Sequence, residues 1–148
     1  MGTIEMVKPP VDLYEDMRVD KARVAVIRTA VEDFAVPPED ADAIYDAFLQ
    51  WMASLPARPA GQRYVMLKSD VDRIFHAFIL NTQSYREFCH RYLGRFVDHH
   101  PITGDGARID VENTVAVLES SFGANLSPFL RMWSRDLDAE AWTVSCFQ

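Results

Sequence analysis

Apolar residues recur at three- and four-residue spacing along most of the 148-residue chain, which is the period of an amphipathic helix. After Pro9-Pro10, the positions of Leu13, Tyr14 and Met17 predict a short first helix; Val24, Ile27, Val31 and Phe34 predict a second. Pro37-Pro38 ends that helix and opens the next, because proline fits a first turn and disrupts a helix interior. Ile44, Phe48, Trp51, Met52 and Leu55 form a third apolar stripe, closed by Pro56, Pro59 and Gly61. Tyr64 to Leu67 reads either as a short extended segment or as the approach to another helix. Ser69 with Asp72 three residues later has the pattern of a capping box, and Val71, Phe75, Phe78 and Ile79 supply the buried side of the helix it opens. Asn81-Thr82 interrupts the stripe; Thr82 is placed to cap a helix reaching Leu93, with Gly94 as a left-handed stop. Pro101 to Gly106 reads as a loop. A further helix opens at Ile109 or Asp110, runs through Val111, Val115, Leu118 and Phe122, and ends at Gly123. Ser127-Pro128 begins a last one with Phe129, Leu130, Trp133 and Leu137. No alternation is long enough for a sheet. The reading is an all-α fold: a single compact bundle of about six helices over residues 1–148, with a flexible N-terminus over 1–10 and a loop over 101–106.

Composition narrows the partners. Nearly half the residues are hydrophobic and a quarter charged, as in globular rather than disordered chains. Fifteen Lys and Arg against twenty-two Asp and Glu give a net charge of −7, which repels phosphate backbones and disfavours nucleic acid as a partner. Arg86, His90, Arg91 and Arg95 could share a helix face, but a solvated surface explains them. No apolar run reaches membrane-spanning length, and MGTIEMVKPP lacks the apolar stretch of a signal peptide. Two cysteines are too few for a disulfide framework, so free thiols in a reducing cytoplasm are expected. A small molecule or a protein remains as the partner class.

Candidate chemistry is concentrated in one stretch. All four histidines (His76, His90, His99, His100) and Cys89 fall between Asp72 and Pro101. Imidazole and thiolate are the side chains that bind transition metals and carry proton transfer or nucleophilic attack near neutral pH. Asp72 and His76 are four apart on one predicted helix and so share a face; a carboxylate there would fix the imidazole tautomer and raise its basicity. Tyr85 and Cys89 repeat that spacing on the next helix. His99 and His100 are neighbours, so one can turn inward while the other faces solvent. His90 should point away from Cys89 and is left out of the site. The plainer readings are a capping role for Asp72, a small buried hydrophobe for Cys89 and surface positions for the histidines. The spacings fit no zinc-finger pattern. If His76, Cys89 and one of His99 or His100 converge, they suit zinc, with iron or copper behind it.

The same stretch resembles a family of bacterial proteins related to the N-terminal region of plant glycine-rich domain proteins. The residues that carry the likeness are Asp72, Phe75-His76, Ile79-Leu80, Asn81-Thr82, Tyr85, Phe88-Cys89, Gly94 and His99-His100-Pro101. Thr114, Leu118, Phe122-Gly123, Trp133 and Asp136 match later landmarks more loosely. Phe75 departs from the usual Trp, which removes an indole donor and keeps the aromatic bulk. The resemblance implies a helical fold and groups Asp72, His76, Tyr85, Cys89 and the His99-His100 pair, with Asp72 and Tyr85 as orienting partners. It implies no particular reaction.

Three functions are compatible with these residues. The first is a small helical metal-binding protein with His76, Cys89, His99 and His100 as candidate ligands. A second is a metal-free interaction module in which the His/Tyr/Cys cluster is a packing network, with Trp133, Trp142 and Phe147 as a surface; for Trp133 the core is the preferred place. The third is an enzyme with Cys89 as nucleophile, a histidine as base and Asp72 orienting it. A mid-helix cysteine on an apolar stripe argues against that role.

Overall fold

The computed structural model describes residues 8–102 and 106–148. Seven α-helices and a small sheet are present among them: α1 (Pro10–Arg18), α2 (Ala22–Phe34), α3 (Ala41–Ser54), β1 (Val65–Leu67), α4 (Asp70–Leu80), α5 (Thr82–Leu93), β2 (His100–Pro101), α6 (Arg108–Phe122), α7 (Pro128–Asp138) and β3 (Val144–Phe147). The fold is mostly helical, not all-α, and the helices exceed the six expected.

The local signals act as their chemistry requires. Ser69 accepts a hydrogen bond from the Asp72 backbone amide at 3.4 Å and caps α4. Gly94, at φ 70°, closes α5 in the left-handed region, and Gly123, at φ 52°, closes α6. Ser127 caps α7 ahead of Pro128 in its first turn. Thr82 does not cap α5: Asn81 holds the N-cap position, without a side-chain cap bond, and its amide nitrogen turns back to Ala77 O at 2.8 Å. On α2 the buried side runs through Ala22, Val26 and Ala30, with Ile27, Val31 and Phe34 on its flank and Val24 exposed.

Helix α3 is the spine. From Ala47 to Ser54 every residue is buried, the mark of a helix covered on all sides. It packs against α1, α2, α4 and α6. The rings of its Phe48 and Trp51 pack with Phe75 of α4, centroids 5.2–6.1 Å apart. Its polar groups are used as ties. Gln50 donates to Asn125 O at 2.9 Å and accepts from Ser127 N at 2.8 Å, fixing the connection between α6 and α7. One continuous cluster of buried residues runs from Leu13 to Cys146.

Tyr64 to Leu67 takes the extended alternative, as β1, but the sheet it joins is not legible in the sequence, for a physical reason. Its strands have three, two and four residues, too short for an alternating pattern to stand out. All three residues of β1 are buried, so no polar position marks a solvent face. The order is β1-β3-β2, antiparallel throughout, with Met66 and Pro101 both paired to Cys146. Trp51 Nε1 donates to Val65 O at 2.9 Å, and Val65 N donates to Thr114 Oγ1 at 2.9 Å, so β1 is tied to α3 and α6. The consequence is functional: β3 carries the C-terminal residues against α4 and the segment entering β2. The loop expected over 101–106 begins in β2, and residues 103–105 lie outside the described residues, as do residues 1–7 of the expected flexible N-terminus.

Candidate metal centre

Asp72 and His76 lie one turn apart on α4, as their spacing requires. His99 approaches them from the segment just before β2, and Cys146 from β3, which β2 pairs with directly. The Phe75 ring is buried and meets the His99 ring edge-on at 5.2 Å, holding its plane. Here the phenyl that replaces an expected indole acts through shape alone.

The geometry converges on a point. His76 Nε2 and His99 Nε2 face each other at 3.0 Å. Asp72 Oδ1 is 3.5 Å from the first and 4.0 Å from the second. Asp72, His99 and Cys146 form a group whose ligand atoms all lie within 4.8 Å of one another. The side chain of Asp72 is 7% exposed, against 19% for His99 and 37% for His76. Despite its burial, Asp72 Oδ1 has no hydrogen-bond partner among the described residues. Leaving a buried charged oxygen unsatisfied is costly.

Burial sets the protonation of the group. It pushes the Asp72 carboxyl up to about 6, against the pull of the Ser145 hydroxyl, His99 and Lys68. It lowers the basicity of both His76 and His99; the His76 imidazole disfavours charge on His99 further, while Asp72 favours it. It raises the Cys146 thiol to about 12, with Asp72 adding to the effect. At neutral pH the cluster is therefore a carboxylate, two neutral imidazoles and a protonated thiol. Two Nε2 atoms at 3.0 Å can share at most one proton, so one of them presents a lone pair.

Of the residues anticipated from sequence, His76, His99 and Asp72 are brought together. Cys89, Tyr85 and His100 are placed elsewhere. Cys89 is wholly buried among Phe88, Tyr85 and the backbone of Val97, and burial raises its thiol. Tyr85 donates its hydroxyl to Val97 O, which orients the backbone leading to His99 rather than the imidazoles themselves. His100 is exposed, stacks on Phe147 at 5.3 Å and lies 3.8 Å from Asp98. Cys146 was not anticipated: it is 47 residues beyond His99 (146 − 99), and only the β2–β3 pairing joins them.

Fold and cluster together define a small, mostly helical protein with a carboxylate, imidazole and thiol group gathered where α4 meets a three-stranded sheet. The chain belongs to the UCP032817-like family, whose model matches residues 17–110. That span holds Asp72, His76 and His99; Cys146 lies beyond it. No curated protein and no solved structure matches the chain, and nothing links it to plant glycine-rich domain proteins.

Proposed function

We propose that the protein binds one divalent transition-metal ion, zinc before iron or copper, through Asp72, His76 and His99. The observation that carries this reading is Asp72 Oδ1, a buried carboxylate oxygen without a hydrogen-bond partner among the described residues, close to two imidazole nitrogens. Donor atoms sharing one tetrahedral centre at about 2.0–2.1 Å stand about 3.3–3.4 Å apart. The three separations here, 3.0, 3.5 and 4.0 Å, bracket that value. A cation at the centre would satisfy the carboxylate and take both imidazole lone pairs without sharing a proton. Two imidazoles and one carboxylate suit zinc, and the same set is used for iron(II); a nitrogen-rich site does not suit calcium or magnesium. Cys146 stands on the buried flank as a reserve donor, protonated until a metal draws off its proton.

Elemental analysis by mass spectrometry of untagged protein, purified without chelator, tests the reading. Near-stoichiometric zinc, iron or copper is expected in the wild type, in Cys89→Ser and in His100→Ala, and is expected to be lost in Asp72→Asn, His76→Ala and His99→Ala. A folded wild type that takes up no metal on reconstitution would overturn it. The cluster would then be a packing network, the second reading, which the His76–His99 contact and the Phe75 edge contact favour. A nucleophilic role for Cys89 gains no support from a wholly buried thiol whose ionisation burial opposes. Both cysteines are free, which suits the reducing compartment proposed for this chain.

A further inference from the structure

A cleft of about 630 Å³ opens between the start of α4 and the face of α7. Asp72, His76 and Ser145 line it, whereas His99 and Cys146 do not. The cleft therefore reaches the cluster at Asp72 and His76, and His76, the most exposed of the three proposed ligands, borders it. A metal held by three protein groups keeps a position for water or an incoming ligand. With Asp72 and His76 on the cleft wall, such a position would open toward the cleft.

The walls define what could enter. Phe129 and exposed Met132 on α7 make one side apolar. Lys68 brings a positive charge beside Asp72. Arg73 is 3.3 Å from Asp70, so its charge is engaged. Asp136 on the α7 side penalises a second negative charge on any ligand. One anionic head, an apolar body and no further anion describe a monocarboxylate better than a phosphate ester.

Resting on the metal reading above, we propose that the cleft seats a small monocarboxylate with an apolar body, whose carboxylate takes the cleft-facing position on a metal held by Asp72, His76 and His99. Ligands of this kind combine a few well-placed polar contacts with apolar walls, and each methylene buried adds affinity.

The full chain loaded with cobalt(II) tests it, because the visible absorption of cobalt reports its coordination. Acetate, hexanoate and inorganic phosphate are titrated in turn. Hexanoate is expected to change the spectrum and to bind about tenfold or more tighter than acetate, with phosphate weaker than either. Met132→Asp, which puts a charge on the apolar wall of the cleft, should bring hexanoate down to the level of acetate. Cobalt that binds but responds to none of the three probes would mean a closed site and would overturn the proposal while sparing the metal reading. Equal affinity for acetate and hexanoate, or a preference untouched by Met132→Asp, would overturn it too. Failure of cobalt to bind would overturn the metal reading, and this proposal with it.

Discussion

Two aspartates in this fold are buried to nearly the same degree and live in opposite circumstances. Asp20, between α1 and α2, has a side chain 4% exposed. It accepts from Ala22 N at 2.9 Å, Arg91 Nη1 at 2.7 Å and the Tyr92 hydroxyl at 2.8 Å. Asp72 has an oxygen that accepts from nothing among the described residues and faces two neutral imidazoles. The first carboxylate is a clamp: it starts α2 and fastens the α1–α2 turn to α5. The second is an expense to the metal-free fold. Burial alone does not mark a functional acid; burial without satisfaction does.

The sharpest way to separate the two is to supply a metal. Zinc at a thousandfold excess over its dissociation constant should stabilise the wild type by about 4 kcal/mol, read as a rise in melting temperature. Asp72→Asn and His99→Ala should show none of that rise, while Asp20→Ala should show all of it from a lower starting point. A rise of equal size in Asp72→Asn would erase the distinction.

Next in size is the loss of the clamp. Removing Asp20 leaves the Ala22 amide without its acceptor and takes a partner from Arg91 and Tyr92; Arg91 is half exposed and water takes over there, so a loss of about 1–2 kcal/mol is expected, the size of a lost helix cap. Urea unfolding of Asp20→Ala in the absence of metal is the measurement. Asp72→Asn in the same experiment should move the other way, gaining about 1–2 kcal/mol at pH 7, since the amide carries no charge to bury. A loss comparable to that of Asp20→Ala would show that Asp72 is structural.

A smaller effect fixes the sign through pH. The Asp72 carboxyl titrates at about 6 in the fold and at about 4 unfolded, so the folded state holds the proton more tightly. That contribution favours folding below about pH 4 and is lost as pH rises through 6. His76 and His99 act oppositely: their lowered basicity makes the unfolded state take up protons first, so their contribution is lost as pH falls below the ordinary histidine value. Comparing metal-free wild type with Asp72→Asn removes what is common to both. The deficit of the wild type against the variant should narrow as pH falls from 7 to 4.5 and vanish only below about pH 4. A constant gap would contradict the assignment. The least effect is expected of Cys146→Ser, which should keep the metal and shift its affinity by less than about tenfold if three ligands suffice.

Much of the helical frame was legible because its signals are local. Ser69, Gly94, Gly123 and Ser127-Pro128 each act through the backbone within a turn, and each ends or begins a helix as read. Asp72 with His76 was legible for the same reason, being one helical turn apart. The site as a whole was not. His99 joins through a segment that runs into β2, and its choice over His100 depends on which neighbour faces α4. Cys146 joins through a strand pairing between segments of two and four residues, which no periodicity reveals. Cys89 drew attention because it sits among the histidines in sequence, yet its helix aims it at Tyr85 and Val97. Sequence proximity identified the stretch, and tertiary pairing selected the members.

The most direct test of the central claim is zinc titration calorimetry on metal-free wild type beside Asp72→Asn and His99→Ala. The account predicts one site per chain in the wild type and none in either variant, with both variants folded. Absence of binding in the wild type, or binding that survives both substitutions, would contradict it.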